Sequence, residues 1–175
     1  MSWDQRIRDL WVDFLFWIRY YIRNLVFSPR GPRYLAPRLL RNADEFADAF
    51  MPFYGEESAR RFRELLTQHV LLLSEFAATV RAGEDTEAQR AAWYANADEI
   101  AGFFASVNPY WDEGVWRRLL YQRFSLEEAL LLRLQEGDFM GAIEQFDVAQ
   151  LNAEQIANYM IDGIAMQFQL PTVPQ

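Results

Sequence analysis

Trp93-Tyr-Ala-Asn-Ala-Asp-Glu-Ile-Ala-Gly-Phe-Phe-Ala-Ser-Val-Asn-Pro-Tyr-Trp111 is the stretch that decides the fold. Trp93, Asn96, Ala97, Ile100, Phe103, Phe104 and Val107 fall on one face of a helix. Asn108-Pro109 then stops that helix, because proline cannot continue the hydrogen-bond ladder and restricts the residue before it. A face this wide and aromatic needs several partner helices to cover it. The stretch predicts a helical bundle.

Upstream of it, Thr86 with Glu87 and Gln89 has capping-box spacing and opens the Trp93 helix. A long helix is expected over 56–82, with acids in its first turn and Gly83 as its stop. Its stripe is Phe62, Leu65, Leu66, His69, Leu72, Leu73, Phe76 and Val80, which turns the only histidine inward. Before it, Phe53-Tyr54-Gly55 reads as a turn, and a short helix is expected from an Asn42 N-cap, with Glu45 at the reciprocal position, to about Pro52. Another short helix is expected over 35–41, with Pro37 in its first turn, after a loop at 28–33 marked by two prolines and a glycine.

The first helix should run over 3–27. Ile7, Leu10, Trp11, Phe14, Trp17, Ile18, Tyr21, Ile22 and Leu25 share one broad face. Val12, Phe16, Tyr20 and Phe27 collect on the opposite face among Asp9, Asp13 and Arg23. A helix apolar on two sides is deeply buried or has a partner on its second side, so these four residues form a candidate self-interface. Its longest apolar run, Phe14 to Ile18, is too short to cross a membrane, and Asp9 and Asp13 count against an interfacial helix.

Downstream, Asp112 caps a segment carrying Val115, Trp116, Leu119 and Leu120, and Ser125 with Glu128 suggests a second box starting a segment that ends at Gly137. Asp138 caps a last helix reaching about Phe168. Its expected inward stripe mixes Phe139, Ile143, Phe146, Ile156 and Met160 with Ala149, Ala153 and Gly163. No stretch alternates with period two, so no strand is expected. The reading is one all-α domain over 1–175, with 1–2 and 170–175 as terminal tails. Its expected form is an antiparallel bundle of about four long helices with short inserted ones.

Hydrophobic residues make up 51% of the chain and aromatics 16%, ample material for a core. Cysteine is absent, which removes disulfides, thiolate metal sites and Cys nucleophiles. Lysine is absent as well, and with it Schiff-base chemistry and the P-loop. The net charge of −8 argues against a nucleic-acid partner. That charge is uneven: residues 1–41 hold eight Arg against three acids, net +5, and residues 42–175 hold nine Arg against 22 acids, net −13. Such asymmetry suits association of head with body, between chains or inside one, or contact with anionic lipid. The start of the chain lacks the basic-then-apolar order of a signal peptide, so a cytoplasmic location is expected.

One histidine cannot supply a paired Glu-x-x-His di-iron site or a three-ligand zinc site, and no Gly-x-Ser-x-Gly elbow is present. His69 could serve as a haem ligand, but the favoured reading is a neutral core imidazole bonded to a carbonyl or carboxylate. No cofactor is therefore expected. Arg19, His69 and Asn96 lie on or beside apolar faces and form a candidate polar core or pocket, with Gln150 and Gln167 on the last helix's stripe. The adjacent acids Asp98-Glu99 and Glu127-Glu128 are expected to face solvent.

Several landmarks recur in order in a known family: Leu10-Trp11, Trp17-Ile18-Arg19, Arg38-Leu39-Leu40-Arg41-Asn42, Tyr54-Gly55, Leu65-Leu66 with His69, Trp93 to Ala101, Asn108-Pro109-Tyr110-Trp111, Gly163-Ile164 and Gln167-Phe168. Over about residues 10–168 the chain resembles a family of small all-helical proteins of unknown function from spore-forming Gram-positive bacteria and relatives. Members carry names such as acetylglutamate kinase or glycosyltransferase. The residues here support neither, having no glycine-rich phosphate loop and no Lys. The family pattern has His where this chain has Phe14 and Arg123, and Thr where it has Ile18, while His69 matches. The resemblance implies a fold and no mechanism. The function expected is that of a non-catalytic helical protein that associates with copies of itself or with another protein. The alternative is a bundle that binds a small molecule in a polar pocket.

Overall fold

The computed structural model describes residues 2–28 and 30–172; the tail expected at 170–175 lies outside them from residue 173, as do Met1 of the expected N-terminal tail and Pro29 of the expected loop. All regular structure among the described residues is helical, in five helices: α1 (Trp3–Phe27), α2 (Gly31–Ala82), α3 (Glu87–Val107), α4 (Glu113–Glu136) and α5 (Phe139–Phe168). Each helix packs on the next in chain order, α5 returns to pack on α1, and α4 also reaches α1.

Strong caps fix the later boundaries. Asp112 accepts from Val115 N at 2.9 Å and Asp138 from Gly141 N at 2.9 Å, each worth about 1 kcal/mol to its helix. The stops at Gly83 and Gly137 are as expected. Three expected starts are not caps. Thr86 makes no side-chain cap, and its neighbour Asp85 accepts from Glu87 N at 3.1 Å instead. Ser125 lies inside α4, which runs unbroken from Glu113 to Glu136. Asn42 lies inside α2, fully buried, where its side chain accepts from Arg38 Nη1 and donates to Glu45 Oε2.

The short helices expected before Pro52 are therefore one continuous stretch that begins at Gly31, with Pro37 and Pro52 in its interior. Its one departure from helical geometry is Gly55, at φ 79° and ψ 173°, a conformation that only glycine adopts freely. The turn expected there is a sharp bend between two halves of α2.

The core is one continuous cluster fed by all five helices, with Trp11, Phe46, Phe62, Trp93, Phe104 and Trp116 buried at its centre. Aromatic rings pack against one another through its centre. Trp93 stacks on Phe124 at 5.1 Å and on Phe76 at 5.5 Å, and Phe104 lies 4.3 Å from Trp116. Such pairs add about 0.5–1.5 kcal/mol each beyond the area they bury. A small second cluster, Leu15 with Ala149 and Ala153, joins α1 to α5.

The α1 stripe is buried as expected, apart from Trp17, which is half-buried beneath the Arg38 guanidinium at 4.5 Å. On α5 the expectation fails in the first half. Ile156, Met160 and Gly163 are buried, but Phe139, Ile143 and Phe146 face solvent. Small residues explain this: Gly141, Ala142, Ala149 and Ala153 take the inward positions and let α5 lie close to its neighbours.

Candidate functional site: a buried Arg123–Glu127–His69 cluster beside an apolar face

Leu120, Phe124, Leu131 and Leu134 bury one face of α4, and the helical phase puts Arg123 and Glu127 on that face with them. Both charged residues are almost completely buried. Both Glu127 and Glu128 were expected in solvent; Glu127 is buried, and Glu128 is half-buried at the surface, accepting from Arg90 Nε at 2.7 Å and the Tyr94 hydroxyl at 2.9 Å. The signal that locates Glu127 is its spacing of three or four residues from Arg123, Phe124, Leu130 and Leu131, not its acidic neighbour.

His69 comes from the inward stripe of α2 and completes the cluster. Trp93 Nε1 donates to its Nδ1 at 3.1 Å. Its Nε2 lies 2.9 Å from Glu127 Oε2, in a geometry too bent for a full hydrogen bond. With Nδ1 accepting from an indole that can only donate, the ring's single proton belongs on Nε2, facing the carboxylate. Phe124 at 4.4 Å and Phe14 at 5.9 Å wall the imidazole in, and the Arg123 guanidinium is 5.9 Å from the Phe14 ring centre. Phe14, His69, Arg123 and Glu127 thus converge on one point from α1, α2 and α4. His69 is a core imidazole whose hydrogen bond comes from the Trp93 indole, where a carbonyl or carboxylate partner was expected.

The cluster is electrostatically tense. Arg123 Nε is 3.5 Å from Glu127 Oε1, and neither that nitrogen nor Nη2 has a hydrogen-bond acceptor. Both Glu127 oxygens likewise lack a well-aligned donor. Burial lowers the pKa of the Arg123 guanidinium, with the Glu127 charge opposing that shift.

The three residues expected to share a pocket do not all meet. Arg19 lines a crevice between α1, α4 and α5 together with Arg123, Glu127 and Gln145; His69 touches Glu127 but is not among the crevice walls. Arg19 Nη2 donates to Ala142 O at 2.5 Å, and its guanidinium covers the Phe146 ring at 5.1 Å. Asn96 sits apart: fully buried, it donates to Leu65 O at 3.2 Å and ties α3 to α2. Gln150 is exposed and bonds Glu154, so it leaves the polar core. Gln167 stays half-buried, accepting from the Tyr54 hydroxyl at 3.2 Å and donating to Val107 O at 3.3 Å. Tyr54 in turn accepts from Asn108 Nδ2 at 2.8 Å. Asn108 therefore does more than end α3; it latches the bend at Gly55 to the end of α5.

Val12, Phe16, Tyr20 and Phe27 are all exposed, Phe16 by 58%. Their face does not end with α1. Phe27 meets Phe139 at 6.0 Å, and Arg19 on Phe146 bridges the same two helices farther along. Phe139, Met140 and Ile143 extend the patch over α5, with Ile143 62% exposed. Sequence reading found the α1 half and missed the α5 half, because it placed those residues in the core.

Among the described residues no group of His, Asp and Glu is placed to hold a metal ion, and no helix is long and apolar enough to cross a membrane. Comparison with family models, with curated proteins and with solved structures finds no match to this chain.

Proposed function

We propose that this chain works by association rather than catalysis, as a helical interaction protein that pairs with copies of itself through the joint α1–α5 face. The observation that carries the reading is the continuity of Phe16, Tyr20 and Phe27 with Phe139, Ile143 and Phe146 across two helices. Contiguous exposed apolar surface of this kind marks interaction sites. Charge over the whole chain favours a second copy as the occupant: residues 1–41 carry net +5 and residues 42–175 net −13. The apolar α1 face itself is mixed, with Asp9 and Asp13 beside Arg23, while the α5 side carries the exposed Glu144, Asp147 and Glu154. A two-fold arrangement that lays α1 of one copy on α5 of the other sets the basic head against the acidic body twice. The short connections between consecutively packed helices support an antiparallel bundle as the scaffold for this face.

The test is the solution mass over a concentration series, for the native chain and for Phe16→Glu combined with Tyr20→Glu. A discrete multiple of 20.6 kDa that falls to the monomer in the double variant is the expected result. A native chain that stays monomeric at every concentration overturns the reading.

A further inference from the structure

Arg6, on the first turns of α1, stands apart from the other arginines that are buried or half-buried. Arg8 holds Asp4, Arg133 holds Asp138, and Arg123 lies beside Glu127. Arg38 donates to Asn42, and Arg19 to Ala142 O. The half-buried Arg6 guanidinium has no ion pair, hydrogen bond or ring contact among the described residues. Partial burial removes some of the water that would solvate such a charge, and here no protein group replaces it. The acids nearest in sequence are engaged elsewhere: Asp4 belongs to Arg8, and Asp48 of α2 lines a separate hollow beside Arg60 and Arg63.

That guanidinium lines a groove between the start of α1 and the stretch of α2 just before the bend at Gly55. Its other walls are Ser2, Trp3, Ala49, Pro52 and Phe53, and its volume is about 420 Å³. Small-molecule sites span about 300–1,000 Å³ and combine apolar walls with a few polar groups, which is the composition here. Trp3 meets Phe53 edge to face, with ring centres 5.5 Å apart and planes inclined by 67°. The Phe53 ring is backed in turn by Phe168 at 5.5 Å and by Tyr54 at 6.4 Å. Its position is therefore set by the fold before any guest arrives, which lowers the cost of binding. The groove thus offers flat apolar walls, one unpaired cation and no acid.

We infer that this groove binds a small aromatic carboxylate, its ring against Trp3, Pro52 and Phe53 and its carboxylate on Arg6. The planar guanidinium fork matches a carboxylate in a two-bond contact. One cation suits one negative charge; a phosphate dianion would bring a second charge that no other group in the wall meets. A flat ring gains edge and face contacts with Trp3 and Phe53 that an aliphatic acid lacks. The groove lies where α1 packs on α2, not on the exposed α1–α5 face, so the inference is independent of self-association. Small-molecule binding thus moves from the polar pocket expected at Arg19, His69 and Asn96 to the opposite end of α1 from Phe27.

The experiment follows the Trp3 indole N–H resonance of the isotope-labelled full chain, assigned through Trp3→Phe, during titration with naphthoate. Naphthamide, cyclohexanecarboxylate and acetate are titrated alongside at matched ionic strength. Naphthoate should move the resonance along a saturating curve. Its amide has the same shape without the charge and should bind about tenfold or more weakly, the order expected for losing one charge-assisted contact. Cyclohexanecarboxylate should bind more weakly than naphthoate, and acetate should leave Trp3 unmoved. Arg6→Gln should bring naphthoate down to the level of the amide, while Phe16→Glu leaves its affinity unchanged. An acid that binds no tighter than its amide overturns the proposal, as does a response that survives Arg6→Gln or no movement of Trp3 at all. An acetate response equal to that of naphthoate also overturns it, because the groove then adds nothing to a surface arginine. The acid–amide comparison needs only the native chain, so the test stands even if Arg6→Gln fails to fold.

Discussion

Trp93 donates its indole N–H to His69 Nδ1 at 3.1 Å, and this one bond determines which way the imidazole faces. It turns Nε2 toward Glu127, 2.9 Å away, and so connects α3, through α2, to the buried charges of α4. The consequence is structural. A histidine whose Nδ1 accepts from an indole and whose Nε2 lies against a carboxylate is held in one ring orientation.

Removing Glu127 should therefore be severe. Glu127→Ala leaves Arg123 buried without its carboxylate and is expected to cost about 3–5 kcal/mol in urea unfolding. Arg123→Met with Glu127→Leu should recover most of that loss, because an apolar pair of similar volume removes both desolvation terms. A double variant no more stable than Glu127→Ala would show that the ion pair itself holds α4 in place.

Alkaline pH should expose the buried phenols. Burial raises the pKa of Tyr54 above its ordinary 10.0, against a smaller opposing effect of Asn108; burial, and then Glu128, raises that of Tyr94. The native state holds these protons after the unfolded chain has lost them. Their contribution is complete below about pH 10 and declines as pH climbs above it. Chemical denaturation at pH 8 and 11 should show a smaller drop for Tyr94→Phe than for the native chain.

Gly163 should not accept a methyl group. A Cβ there would lie 1.9 Å from Trp111 Nε1, the same atom that donates to Tyr159 O at 3.1 Å. Gly163→Ala is expected to destabilise by about 1–3 kcal/mol through overpacking, with a shift in Trp emission as the indole moves. Gly102→Ala, inside α3 and with nothing within 4 Å of the added Cβ, is the control and should stabilise by about 0.5–1 kcal/mol through helix propensity.

The convergence of Phe14, His69, Arg123 and Glu127 invites a gain-of-function test. The Phe14 ring lies 5.9 Å from that of His69, and the Arg123 guanidinium is 5.9 Å from the Phe14 ring centre. Phe14→His with Arg123→His places three imidazoles and a carboxylate around one point, a donor set that suits zinc. Zinc should raise the Tm of the double variant and not that of the native chain. Equal responses would show that the four positions are too far apart to share an ion.

Where one physical signal dominated, the sequence was legible. The α1 stripe, the caps at Asp112 and Asp138, the bend at Gly55 and the inward turn of His69 all follow from local chemistry or a clean helical period. It misled where two signals competed. Asn42 and Ser125 have good capping chemistry, but the helices around them continue because the apolar faces continue. Glu127 and Glu128 are identical residues side by side, and only the phase of α4 sends one inward. Phe139, Ile143 and Phe146 are large and apolar, yet the smaller residues opposite them were the ones that packed.

The return of α5 onto α1 also bears on how the chain comes apart. In an open stack of helices the last element touches only its neighbour and can peel away alone. Here the final helix is held by the first, and both insert into the aromatic cluster that every other helix shares. Losing either end exposes the same core, so there is no cheap partial opening. Melting is then a single cooperative event, with helix content and tryptophan environment lost at one temperature.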